Sequence, residues 1–293
     1  IDLVPGIRDI RRLKVVVDAG NGMGGLTVPR VFESLPVDLT PMYFELDGSF
    51  PHHEANPIEP ANLRDLQAEV KARGADIGLA FDGDADRCFV VDERGEIVSP
   101  SVLTALIAAR ELDKEPGATV IHNLITSHAV PEVVREHGGT PVRTRVGHSF
   151  IKATMAQTGA VFGGEHSGHF YFRDFWRADS GMLAALHALA ALGSTDRPLS
   201  ELLASYDRYV GSGEVNTEVA DTTAALAAVR DSFAALPGAK VDELDGLTVE
   251  VGAGEWFNVR PSNTEPLLRL NVEAPDHASM EKLRDDVLAV IRR

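Results

Sequence analysis

Residues 81–95, FDGDADRCFVVDERG, place Asp82, Asp84 and Asp86 at alternate positions with Arg87 directly behind them. Carboxylates crowded without a counter-charge push at least one of their pKa values upward. A hard cation relieves that repulsion, because Mg²⁺ and Ca²⁺ take carboxylate oxygens as preferred ligands. Asp82, Asp84 and Asp86 are therefore candidate metal ligands. The plain alternative is a solvated acidic turn, and an isolated D-x-D-x-D does not decide between them.

Two metal- or phosphate-handling patterns compete for the same residues. In an EF-hand loop Asp82, Asp84 and Asp86 would occupy positions 1, 3 and 5 and Glu93 position 12, but Arg87 stands where the sharp turn needs glycine, and the flanks read as strands. An aspartyl-phosphate enzyme of the haloacid dehalogenase type would also set Asp82 and Asp84 after an apolar strand, but Asp86 departs from it.

Further along, GGEHSGHFYF (163–172) spaces Glu165, Ser167 and His169 two apart. In an extended segment that spacing turns all three toward one side, an acceptor, a hydroxyl and an imidazole suited to a polyol such as a sugar. The bland reading is a polar hairpin. In FNVRPSNTEPLLRLNVEA, Arg260, Ser262, Asn263 and Thr264 sit in a turn between two expected strands. Backbone N–H groups, hydroxyls and a guanidinium fork there could hold phosphate, although Asn, Ser and Pro are also ordinary turn formers. GNGMGG from Gly20 fits the spacing of a dinucleotide loop, but no set of cofactor contacts follows it, so a tight strand-to-helix turn is the simpler reading.

These segments need elements to position them. LKVVVDA reads as a strand feeding a helix over LTVPRVFESLP. Leu63, Leu66 and Val70 share one helical face that stops at Gly74, and DIGLAF is the strand that delivers the acidic residues. Helix, strand, helix, strand and helix follow over SPSVLTALIAAREL, TVIHNLIT, HAVPEVVREHGG, TPVRTRVG and HSFIKATMAQTG. VVVDAGNG…TVPRVFESLPV and VIHNLITS…AVPEVVREHGGTPV echo each other as two copies of one unit. After Tyr209 the pattern turns to short strands with two helices. The expected class is α/β: two consecutive α/β domains with mixed, mostly parallel sheets, residues 1–98 and 99–209, then a smaller α+β domain, 210–293.

The 293 residues are 44% hydrophobic and carry a formal charge of −16, which argues against a general nucleic-acid or anionic-membrane surface. The single cysteine, Cys88, cannot form an intrachain disulfide, and no apolar run is long enough to span a bilayer. A reducing, cytoplasmic setting is expected.

Taken in order, FDGDADR, GEHSGH and RPSNTEPLLRL resemble the metal loop, sugar-recognition loop and phosphate-binding loop of the α-D-phosphohexomutase family, and VGHSFIK resembles a further family segment with His148 near the substrate. HSGHFYFRDFWRADSGM is more similar to bacterial phosphomannomutases than to phosphoglucosamine mutases. The resemblance implies a small hexose phosphate as ligand. It also implies Mg²⁺ held by Asp82, Asp84 and Asp86 against a phosphoserine oxygen, with Arg87 adding positive charge. Glu165 and Ser167 would grip sugar hydroxyls, Arg260, Ser262, Asn263 and Thr264 the distal phosphate, and His169 would assist proton transfer.

Two departures accompany it. The family's first domain carries the phosphorylated serine in a T-A-S-H-N-P-like loop, which these residues lack; TSHAVPE (126–132) is a look-alike in the wrong unit. The chain is therefore expected to be the last three domains of a mutase, inactive alone and completed by an N-terminal partner domain. A non-catalytic sugar-phosphate or metal-binding fragment is the alternative. Relatives also often carry a lysine after the strand that reads VIHNLITSH here, so Arg143 or Arg145 is expected to take that phosphate contact.

Overall fold

In the computed structural model, which describes residues 1–262 and 265–292, the first unit runs β1 (Leu13–Asp18), α1 (Gly24–Phe32), β2 (Val37–Met42), α2 (Arg64–Arg73), β3 (Ile77–Phe81), β4 (Cys88–Asp92) and β5 (Ile97–Val98). Its sheet has the order β2-β1-β3-β4-β5, with β1 parallel to both β2 and β3 and the last two pairings antiparallel. Four of the five strands thus share a direction. Gly74 ends α2 in the left-handed region at φ 56°, returning its N–H to the Val70 and Lys71 carbonyls.

The second unit repeats that plan. After α3 (Pro100–Lys114) come β6 (Thr119–Asn123), α4 (Ala129–Glu136), β7 (Thr140–Thr144), α5 (His148–Thr158), β8 (Phe162–Gly164), β9 (Phe170–Phe172), β10 (Ala178–Asp179), α6 (Gly181–Gly193) and α7 (Leu199–Leu203). The sheet order β10-β9-β8-β6-β7, with β6 parallel to β7 and β8 and then two antiparallel pairings, matches the first sheet strand for strand. The V-P-x-V echo marks α1 and α4, the equivalent first crossover helices of the two units.

Helix α6 has no counterpart in the sequence reading. Twelve of its thirteen residues are buried, so it is apolar on every side and carries no amphipathic period to find. It packs against β4 of the first unit as well as β9 and α3 of the second. One continuous core results, in which Val15, Leu79 and Cys88 join Leu106, Phe162, Phe170 and Leu186. Strand β2 carries little sequence signal for the opposite reason: it is a half-exposed edge strand containing Pro41, which weakens any β pattern.

The third unit consists of β11 (Val210–Glu218), α8 (Thr222–Phe233), β12 (Lys240–Asp242), β13 (Leu247–Gly252), β14 (Glu255–Pro261), β15 (Leu267–Ala274) and α9 (His277–Ile291). Its antiparallel sheet, β11-β15-β14-β13-β12, is backed by both helices over a separate core. Asp221 and Asp276 cap those helices by accepting from N–H groups of the first turn. Buried Glu273 ties this unit to the second: its Oε1 accepts from Trp256 Nε1 at 2.7 Å and from the His128 backbone N–H at 2.9 Å, while the two rings stack at 4.9 Å.

The glycine loop 20–25 is a platform for the acidic loop. Met23 N–H donates to the Gly83 carbonyl at 2.9 Å, and a Cβ on Gly22 would lie 2.5 Å from that same oxygen. The close backbone approach explains the glycines without a dinucleotide. Gly22→Ala is expected to destabilise the chain by about 1–3 kcal/mol through overpacking, read from urea unfolding. Gly48→Ala, with no atom within 4 Å of the added Cβ, is the near-neutral control.

Candidate active site

The acidic residues occupy the connection between β3 and β4, where Ala85 adopts a left-handed φ of 64°. Asp82 is 4% exposed and fully engaged by Arg87: one oxygen accepts from the Arg87 backbone N–H at 3.1 Å and the other from Nε at 2.7 Å. Asp84 is exposed, and Asp86 half-buried. One oxygen from each of the three carboxylates lies within 4.8 Å of the others. Burial, then the charges of Asp82, Asp84 and Asp179, pushes the Asp86 pKa up to about 7. Its Oδ1 is buried with no hydrogen-bond partner among the described residues. An orphaned oxygen among converging carboxylates fits a hard divalent cation. The strand flanks exclude an EF-hand, and Glu93 instead accepts from the Ser200 N–H at 3.0 Å.

Arg87 is held from its far side as well. Its Nη1 donates to Asn56 Oδ1 at 3.0 Å, in a loop the sequence reading did not single out. That loop is pinned by His53, whose Nε2 lies 3.0 Å from Oδ2 of Asp18, a carboxylate only 1% exposed at the end of β1. The bond to Asp18 raises the His53 pKa to about 9. The available signal was HHEAN between two prolines, but nothing local connects it to residue 87.

Glu165, Ser167 and His169 lie between β8 and β9. They do come together, though not by extended alternation: the segment is a tight turn closed by Gly168 N–H to Glu165 O at 3.1 Å and Glu165 N–H to His169 O at 3.0 Å. Gly168 takes φ 86°, and a Cβ there would meet the Phe89 ring at 2.4 Å. Ser167 Oγ lies 2.9 Å from His169 Nδ1. Glu165 is 2% exposed, accepting from Asn123 Nδ2, from the Gly147 N–H and, at 2.8 Å, from Tyr171 Oη. Tyr171 has one proton and gives it to Glu165, so its 2.8 Å contact with His148 is donated by Nδ1 of the imidazole. Burial and then Glu165 raise the Tyr171 pKa, which keeps that proton in place. Burial and then His148, whose ring meets His169 edge-on at 4.4 Å, lower the His169 pKa and favour a neutral imidazole.

The first two loops meet across the unit boundary. Arg87 and His169 form an antiparallel β-bridge, and His169 Nε2 lies 3.5 Å from the orphaned Asp86 Oδ1. Gly181, at the start of α6, makes the approach possible, since a Cβ there would lie 2.5 Å from the Arg87 carbonyl oxygen.

Arg260 and Ser262 form a separate group on the third unit; Asn263 and Thr264 lie outside the described residues. Arg260 on β14 is paired across the sheet with Arg269 on β15. Arg260 Nη2 donates to Glu214 Oε2 at 2.7 Å and Arg269 Nη1 to Glu214 Oε1 at 3.3 Å. Neither Arg269 nor Glu214 was singled out from the sequence, because the cross-strand register that pairs the arginines is not a local property. Arg143 ion-pairs with Asp242 of the third unit, and Arg145 lies over the Phe150 ring at 4.9 Å and 3.9 Å from Asp245. Ser127 of the look-alike segment accepts from Ala129 N–H at the start of α4, an ordinary helix-start role.

Residues 7–95, 100–209 and 214–290 match, respectively, alpha/beta/alpha domain II, alpha/beta/alpha domain III and the C-terminal domain of phosphoglucomutase/phosphomannomutase. The chain belongs to the phosphoglucomutase/phosphomannomutase family. It is 38% identical to a phosphomannomutase/phosphoglucomutase of Pseudomonas putida over 97% of its length and 61% of that protein's. It is equally 38% identical to an Escherichia coli phosphomannomutase, again over 97% of its own length and 63% of the relative's. A crystal structure of a phosphoglucomutase/phosphomannomutase family protein from Burkholderia thailandensis superposes with a TM-score of 0.87 at 35% identity, covering 98% of this chain and 62% of that one. This family member therefore spans about three-fifths of the relatives it matches. Among the described residues no helix is long and apolar enough to cross a membrane.

Two pH dependences follow. A divalent cation that takes Asp86 as a ligand must displace its proton, so affinity measured by calorimetry with Mg²⁺ as the probe should rise by up to about tenfold per pH unit below 7 and level off above it; Asp86→Asn should bind weakly with no such slope. The His53–Asp18 pair has the opposite sign, because its folded pKa is raised above the unfolded value of about 6.5. Its stabilisation is complete below that value and is lost as pH rises through about 9. Thermal melts from pH 6 to 10 should show a smaller alkaline decline in His53→Gln than in wild type.

Proposed function

We propose that these residues are the metal-, sugar- and phosphate-binding portion of a phosphomannomutase. The whole protein would interconvert mannose 6-phosphate and mannose 1-phosphate through a hexose bisphosphate, with the phosphoryl donor a phosphoserine outside this sequence. The observation that carries the reading is the junction of the two loops at Asp86 and His169, 3.5 Å apart across the unit boundary. An acidic triplet with an orphaned oxygen thereby faces a hydroxyl-and-imidazole turn suited to a sugar. The double names of relatives favour glucose phosphates as second substrates.

In this reading Asp82, Asp84 and Asp86 hold Mg²⁺, which when bound neutralises charge on the transferring phosphoryl group. Arg87, fixed between Asp82 and Asn56, presents its guanidinium beside that position. Ser167 and His148 meet the sugar hydroxyls, while Glu165, already accepting from Asn123, Gly147 and Tyr171, orients them rather than offering a bare carboxylate. His169, kept neutral by burial, accepts or returns the hydroxyl proton at Nε2, since Nδ1 faces Ser167. Arg260 and Ser262, together with Asn263 and Thr264, grip the phosphate that is not reacting, and Arg269 joins them through its pairing with Arg260. Asp242 already occupies Arg143, which leaves it poorly placed to replace the family's lysine. A cytoplasmic location accords with the buried free thiol of Cys88.

The 293-residue chain alone should show no mutase turnover on mannose 1-phosphate, whereas the longer protein carrying the serine domain should. In that longer protein Asp84→Asn should lower kcat by about a hundredfold with an unchanged melting profile. Arg260→Lys should raise KM by about tenfold, the scale of one charge-assisted bond. Turnover by the isolated chain, or an Asp84→Asn enzyme with wild-type metal dependence, would sink the assignment.

A further inference from the structure

The two arginines of the third unit hold an internal anion. Glu214 gives one carboxylate oxygen to each, Oε2 to Arg260 at 2.7 Å and Oε1 to Arg269 at 3.3 Å, the two-pronged contact a phosphate would make. The arrangement is built. Strand β11 breaks register between Gly211 and Glu214, and Gly213 takes φ 67°; past the bulge Glu214 lies across from Asn271, two residues along β15 from Arg269, and its side chain reaches both arginines. Side-chain exposures are 13% for Arg260, 33% for Arg269 and 29% for Glu214, so the pair is neither sealed in the core nor fully solvated.

We propose that Glu214 is an affinity-determining residue of the phosphate clamp: an internal carboxylate that competes with the substrate's phosphate for Arg260 and Arg269. The inference rests on the clamp reading under Proposed function and adds a role for a residue that reading leaves out. A phosphate dianion entering the fork must take over guanidinium N–H groups held by Glu214, and then sits beside a like charge if the carboxylate stays. Either way the clamp binds more weakly than two arginines alone would. A bisphosphate that must let go of the clamp in order to turn over benefits from that weakness, because an anion held by both arginines without a competitor would leave slowly. When phosphate leaves, the carboxylate returns and the guanidinium groups are not stranded without a counter-charge.

The test uses the 293-residue chain and inorganic phosphate as the probe. Calorimetric titrations are compared for wild type, Arg260→Lys, Glu214→Gln and Glu214→Ala, with unfolding curves to establish that each variant is folded. Glu214→Gln keeps the shape and removes the charge; it should bind phosphate about tenfold more tightly than wild type, the scale of one charge-assisted bond. Glu214→Ala should shift in the same direction and stands in should the glutamine variant fail to fold. Arg260→Lys should bind more weakly. If Arg260→Lys weakens binding while the Glu214 variants bind no better than wild type, competition is overturned and Glu214 merely props the arginines. If Arg260→Lys binds like wild type, the clamp itself falls, and the role of Glu214 with it.

Discussion

Three carboxylates brought within 4.8 Å of one another cannot all stay ionised in a half-buried loop unless something positive answers them. The protein answers one. Arg87 satisfies Asp82 through both backbone and side chain and leaves Asp86 Oδ1 orphaned. Much of the surrounding structure follows from holding that incomplete arrangement still. The glycine platform below allows the loop to sit against the β1–α1 turn, Asn56 fixes the far side of Arg87, and the His53–Asp18 pair fixes the loop that carries Asn56.

The second consequence concerns how the units are joined. The first two share a sheet plan and one core, with α6 buried between them, so the acidic loop of one and the Glu165–His169 turn of the other are held by common packing. His169 and Arg87 can then form a backbone bridge without a flexible hinge. The third unit has its own core and is attached through the Glu273 hydrogen bonds, the His128–Trp256 ring stack and the Arg143–Asp242 ion pair, among others. Interfaces of that kind permit relative motion more readily than a shared apolar core does. The fold thus fixes the acidic loop against the Glu165–His169 turn and carries the Arg260–Arg269 pair on a separately packed unit.

Positive charge is rationed throughout. With a formal charge of −16, the chain pairs these arginines to carboxylates: Arg87 with Asp82, Arg143 with Asp242, Arg260 and Arg269 with Glu214. Each pairing fixes a guanidinium that would otherwise sample many rotamers.

The sequence by itself determined the three loops, their order and the α/β-then-α+β organisation, because these rest on local facts: residue type, spacing of two or 3.6, and glycine or proline punctuation. The acidic triplet was legible since like charges at alternate positions demand an explanation within a few residues. Helix α6 was not, because a helix buried on all sides has no period, and β2 was not, because an edge strand with proline looks like a loop. Tertiary structure alone decided that Glu165, Ser167 and His169 converge through a turn, that Asn56 reaches Arg87 across 31 residues, and that Arg269 stands opposite Arg260 with the Glu214 carboxylate bridging both. Those relations depend on strand register and on packing between units. No local pattern encodes either, since both are settled by which apolar faces bury one another.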